Sequence, residues 1–226
     1  MPRSSPWSGL PRFERGGFGI FVAAAALTAL LGDRPLGAAL VLDPARAVAG
    51  GEVWRILTAP FVFPDGRAGG LLLTLGVQWF LGSHVERSLG TARYLAWTLG
   101  AAVAGYAVLA LVGAIVQLPP HAVFGGTLPA DLAAVTFFGV RMGHVRLSWM
   151  GVLPMGARGL AAFVVGLSLL SELFAAPSPA GLIPPAVAVA LAFAGAMRTS
   201  GRLGGKRRRR RKNHLRVVPP DDVRLH

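Results

Sequence analysis

Six apolar runs, at 16–32, 68–83, 94–118, 124–142, 159–175 and 181–197, alternate with short stretches rich in Gly, Pro and charge. A helix crossing about 30 Å of hydrocarbon needs roughly 20 mostly apolar residues, so each run reads as a membrane span, several of them short. Pro119, Pro120, Pro177, Pro179, Pro184 and Pro185 fall where such helices must stop or start. Ala and Gly are abundant inside the runs, and small residues let membrane helices approach closely. In the fourth run, Thr127-Leu128-Pro129-Ala130-Asp131 reads as a helix start, with Thr127 as N-cap and Asp131 as first-turn carboxylate. From Leu128 to Met142 the helix is about 22 Å long and cannot span alone. It is expected to begin inside the bilayer, with irregular backbone buried in protein or lining a wet cavity. An ionisable group at that depth also flags function, so Asp131, with Gln78, is equally a candidate contact for a client or solute.

The segment 33–67 breaks the pattern. Asp43-Pro44 predicts a capped helix start, and Val53 to Leu57 with Phe61 and Phe63 is too apolar for a solvated loop. Short helices lying in the outer interface are expected, with Trp54 at headgroup depth.

Composition strengthens the membrane reading. Of 226 residues, 53% are apolar and 15% charged, against roughly 25% charged in soluble domains, and the mean hydropathy is +0.55. The chain has no cysteine, which excludes disulfides, thiolate chemistry and cysteine-based metal sites. No cofactor motif or metal-ligand spacing is present. The net charge of +13 is concentrated in 198–226, which holds eleven basic and two acidic residues. Elsewhere, Arg3, Arg12 and Arg15 precede the first span, Arg87 and Arg93 follow the second, and Arg141, Arg146 and Arg158 follow the fourth. The positive-inside rule then places both termini in the cytoplasm. A basic leader before an apolar run also resembles a signal peptide, but five further spans favour an uncleaved first helix. Arginine outnumbers lysine 21 to 2, a bias of GC-rich bacterial genomes that points to an inner membrane. The expected organisation is a cytoplasmic segment 1–15, a membrane domain 16–198 with the long first outer loop 33–67, and an unordered basic tail 199–226. In that tail Lys206, Arg207, Arg208, Arg209, Arg210, Arg211 and Lys212 are consecutive. Attraction to anionic lipids, worth about 1 kcal/mol per charge near the surface, is favoured over recruitment of a soluble partner. Nucleic acid is disfavoured, because no aromatic residue interleaves with the basic run.

Two motifs carry a family resemblance. Gly51 to Phe61, with Trp54-Arg55 at its centre, resembles the "WR" segment in the first outer loop of rhomboid proteins. Gly82, Glu86 and Gly90 are similar to that family's G-x-x-x-E-x-x-x-G run at the inner end of the second helix. The resemblance implies an all-α, polytopic fold, a six-transmembrane-helix rhomboid-like bundle. In it Arg55 braces the outer loop, Glu86 ties the inner helix ends, and Gly82, Gly90 and Gly125 serve close packing.

It also implies where protease chemistry would sit: a serine in G-x-S-G at the start of helix four, a histidine in helix six, and a His and an Asn on helix two. Here Gly125-Gly126-Thr127-Leu128 puts Thr127 at the serine position, Gly70 and Thr74 stand at the helix-two positions, and Pro185 at that of helix six. Of the histidines, His84 and His144 fall at inner ends and His214 and His226 in the tail. His121 alone is outside, six residues before Thr127. The expectation is a catalytically degenerate, derlin-like pseudoprotease that binds transmembrane segments of client proteins. The alternatives are a rhomboid-type protease with an atypical site at Thr127, and a small-solute transporter or channel subunit using Asp131 and Gln78.

Overall fold

The structure, a computed structural model, describes residues 16–31, 34–64, 68–116, 118–119, 122–149, 153–175 and 178–212. Its helices are α1 (Gly17–Leu31), α2 (Pro35–Leu40), α3 (Pro44–Val48), α4 (Trp54–Thr58), α5 (Ala68–Val77), α6 (Ser83–Leu89), α7 (Thr91–Ile115), α8 (Leu128–Arg141), α9 (Ala157–Ala175) and α10 (Ile183–Lys212). A π turn at Gln78–Gly82 joins α5 to α6. The fold is the expected all-α polytopic bundle of six rods: α1, α5–α6, α7, α8, α9 and α10. Between α8 and α9 there is also a small antiparallel hairpin of β1 (Arg146–Trp149) and β2 (Leu153–Gly156), which the hydropathy pattern did not announce.

Three stretches, Thr91–Ile115, Ala157–Phe174 and Pro179–Thr199, are individually long and apolar enough to cross a bilayer, and Gly17–Leu31 is a shorter apolar helix. At 14 residues, α8 is only about 21 Å long. It is nonetheless the centre of the molecule: every residue from Pro129 to Gly139 is buried, against α7, α9, α10 and the α5–α6 rod. A helix enclosed on all sides by protein does not need to span by itself.

Small residues set the closeness of this packing. A Cβ at Gly105 would lie 2.5 Å from the Pro184 carbonyl oxygen, so α7 and α10 touch backbone to backbone. A Cβ at Gly139 would collide with the Ala161 methyl where α8 meets α9.

One end of the bundle, the loop face, is covered by α2, α3 and α4. The Asp43 carboxylate accepts from the Ala45 and Arg46 amides at 3.1 and 3.2 Å, the predicted cap. Arg55, 3% exposed, donates through Nη1 to the carbonyls of Ala38 and Val41 at 2.8 and 2.9 Å and pairs through Nε with Glu52. Trp54 is half-exposed on this layer. At the opposite, tail face, the Glu86 carboxylate accepts from the Gly17 amide at 3.0 Å and the Thr91 hydroxyl at 2.8 Å. Arg55 and Glu86 thus make their contacts at opposite ends of the bundle. Because α1 starts beside Glu86 and α10 carries Thr199 to Arg141 at the end of α8, both ends of the bundle's chain leave from the tail face.

One expectation needs correction. The sequence predicts an unordered tail from residue 199, whereas α10 continues to Lys212. That stretch contains no proline, and its run of Arg and Lys consists of good helix formers. Residues 1–15 and 213–226 lie outside the described residues.

Candidate functional site

The site begins with two glycines at the loop face. The Gly126 amide donates to the Ala59 carbonyl at 2.9 Å, and the Tyr106 hydroxyl donates to the Gly126 carbonyl at 2.9 Å. Gly126 has φ +108°, a backbone region that favours glycine, and a Cβ at Gly125 would stand 2.5 Å from the Val62 carbonyl oxygen. The adjacent chain is tied to the loop layer by reciprocal 2.8 Å bonds between Leu42 and Phe124. This clamp fixes where α8 starts.

On α8, Thr127 and Asp131 are four residues apart, as are Thr74 and Gln78 on the α5 side, so each pair shares one helix face. The two pairs meet. The Thr74 and Thr127 hydroxyls are 2.5 Å apart. Both lie within hydrogen-bond reach of Asp131 Oδ2, at 2.7 and 3.0 Å, and Gln78 Nε2 donates to Oδ1 at 2.6 Å. Tyr94 on α7 in turn donates to Gln78 Oε1. Gly82 makes room for this, since a Cβ there would lie 2.5 Å from the Tyr94 hydroxyl and 2.6 Å from Gln78 Oε1. All five polar residues are 4% exposed or less.

The network corrects one expectation. Thr127 does not cap α8: its backbone is already helical, at φ −81° and ψ −5°, and its side chain makes no capping bond. The hydroxyl is turned instead toward Thr74 and Asp131 across the helix interface. Asp131 stands in the first turn of α8 and accepts from Thr127 there, and its carboxylate also accepts from Thr74 and Gln78 on the α5 side.

Beside the network lies a cleft of about 880 Å³ between α5 and α9. Gly70, Leu73 and Thr74 form one wall, Phe163, Leu167, Ser168, Ser171 and Glu172 the other, with Leu128, Asp131, Pro184 and Pro185 between them. Three of the four positions at which the resemblance expects protease residues, Gly70, Thr74 and Pro185, therefore line one space, and Thr127 adjoins it through Thr74. Gln78, a candidate contact residue with Asp131 by sequence, sits behind Asp131 and is not part of the lining.

No histidine lines the cleft among the described residues. His84 stacks edge-on to Phe138, with Nδ1 2.7 Å from the Phe80 carbonyl, on the tail-facing half. His121 lies outside the described residues. Nor do three His, Asp or Glu side chains gather into a metal-holding group among them.

Sequence reasoning missed Tyr94, Tyr106 and Glu172. A carboxylate inside an apolar run is the same signal that singled out Asp131, so Glu172 was there to be read. Tyr94 and Tyr106 carry no local signal. Of the remaining motif positions, Gly90 has φ +85° between α6 and α7, and Lys206 to Lys212 fall on the helical backbone of α10.

A family model described as Rhomboid domain matches residues 50–176, from the Trp54-Arg55 segment through α9. No curated protein matches the chain.

Proposed function

The chain belongs to the rhomboid family, and from that premise we propose that it binds transmembrane segments of client proteins in the α5/α9 cleft without cleaving them. The observation that carries this reading is the state of the position where the family's nucleophile is expected. Thr127 is 1% exposed, its hydroxyl faces Thr74 and Asp131, and Gly70 and Pro185 stand where nitrogen bases are expected. A hydroxyl becomes an effective nucleophile through an adjacent base and needs donors for the oxyanion it creates. The side chains around this one serve to satisfy a buried carboxylate. The cleft itself suits a client helix, because Leu73 on α5 and Phe163 and Leu167 on α9 are both half-exposed and part of its walls.

In this reading both termini are cytoplasmic in a bacterial inner membrane, the loop face is external, and the basic tail attracts anionic lipid. The test combines photo-crosslinking with a cleavage assay on a panel of tagged transmembrane segments in liposomes, alongside Thr127→Ala. Capture without cleavage is expected. Cleavage abolished by Thr127→Ala overturns the reading in favour of an atypical protease. Solute flux lost on Asp131→Ala, with no segment captured, favours a carrier.

A further inference from the structure

We propose that the cleft selects transmembrane segments carrying a basic side chain, Lys or Arg, at the depth of Asp131. This refines the client-binding reading and rests on it.

The argument starts from an unmatched charge. Asp131 takes its three hydrogen bonds from neutral groups: the hydroxyls of Thr74 and Thr127 at Oδ2 and the Gln78 amide at Oδ1. An ionised carboxylate offers about four acceptor positions, which leaves one open on Oδ1. Among the described residues Asp131 has no cationic partner. The ion pairs Arg46–Asp43 and Arg55–Glu52 are both in the loop-face layer. The titratable groups on the elements around it include Tyr94 and Tyr106 on α7, Glu86 on α6 and Glu172 on α9; the basic groups described on these elements, His84 and Arg87 on α6, Arg93 on α7, Arg141 on α8, Arg158 on α9 and Arg198 on α10, neither bond to Asp131 nor line the cleft. Glu172 lines the same cleft, and among the described residues no Lys, Arg or His does.

The walls are otherwise mostly apolar, so the groove combines a low dielectric with the carboxylate of Asp131, which has no counter-ion among the described residues. A buried charge without a counter-ion is costly, and so is a Lys or Arg on a lone helix in lipid. Docking brings the two together and relieves both. A wholly apolar segment gains only packing, whereas one with a carboxylate at that depth meets like charge.

The test uses the full chain in liposomes with a photo-crosslinker at Leu73. The probes are synthetic Leu/Ala helices of about 20 residues, carrying Lys, Gln, Leu or Glu at a guest position scanned along the outer half. Capture of the Lys guest is expected to exceed that of the Leu guest about tenfold, with Glu weakest. The preference should collapse in Asp131→Asn, which keeps the side chain's shape, and diminish in Glu172→Gln, which serves as the second variant if the first does not fold. Equal capture of Lys and Leu guests overturns the inference and leaves client binding intact. A Lys preference unchanged in the folded variants also overturns it. Capture of no guest at all removes client binding itself.

Discussion

Arg55 is a buried cation whose worth lies in what it holds. Its Nη1 satisfies the carbonyls of Ala38 and Val41, and its Nε pairs with Glu52. Arg55→Ala strands two carbonyls and a carboxylate, a change expected to cost about 3–5 kcal/mol. Arg55→Lys is expected to recover only part of that, because an ammonium cannot reproduce the fork geometry. Thermal unfolding in detergent, followed by circular dichroism, checks both; a melting temperature unchanged in Arg55→Ala would deny the bracing role. Thr127 poses the corresponding question within the polar network. Thr127→Val keeps the volume but withdraws a hydroxyl from Thr74 and Asp131, leaving buried polar groups short of a partner at a cost of about 1–3 kcal/mol. Thr127→Ser should be close to neutral, since it keeps the oxygen. If Thr127→Val is as stable as the parent, the hydroxyl is not structural and the protease reading regains weight.

At the scale of elements, the seam between α8 and α9 decides how wide the cleft stands. Gly139 meets Ala161 there with no room for a Cβ, so Gly139→Val should push α9 outward and destabilise the bundle by about 1–3 kcal/mol. The chain lacks cysteine, which allows spin labels at Leu73→Cys and Leu167→Cys on a clean background. Their distance distribution is expected to shift to longer separations in Gly139→Val, and an unshifted distribution would mean that α9 is positioned by something other than this contact. The elements themselves were largely legible in the sequence, because bilayer thickness imposes a length on apolar runs and Asp43-Pro44 announces a helix start. The shortness of α8 was legible for the same reason. The π turn, the hairpin and the continuation of α10 were not, as each depends on local geometry that hydropathy averages away. The site was legible only through motif spacing: counting back from Gly82 and Glu86 reached Gly70 and Thr74, which do line the cleft. That Thr127 faces Thr74 instead of capping α8 depends on a contact between residues 53 positions apart, and no local propensity encodes it.

For the whole molecule, charge is distributed by face. Arg87 on α6, Arg93 on α7, Arg141 at the end of α8 and Arg158 at the start of α9 belong to the tail face with Lys206 to Lys212, while the α2–α4 layer pairs Arg46 and Arg55 with Asp43 and Glu52. If positive charge sets orientation, the bundle's own arginines suffice without the tail. Removing residues 200–226 is therefore expected to leave topology unchanged. A membrane-impermeant maleimide should label Val53→Cys in intact cells and reach Ser4→Cys only after permeabilisation, in both the full chain and the truncation. Inverted labelling in the truncation would make the tail the topological determinant. The tail's separate contribution is expected in lipid retention. Seven consecutive basic residues, at about 1 kcal/mol each near an anionic surface, should keep more anionic lipid on the full chain than on the truncation when both are purified from the same mixed bilayer. The difference should shrink as salt is raised, since these charges interact through solvent within a Debye length of about 10 Å at 0.1 M. Equal retention by the two forms, at low and high salt alike, would turn attention from lipid to a soluble partner for this extended end of α10.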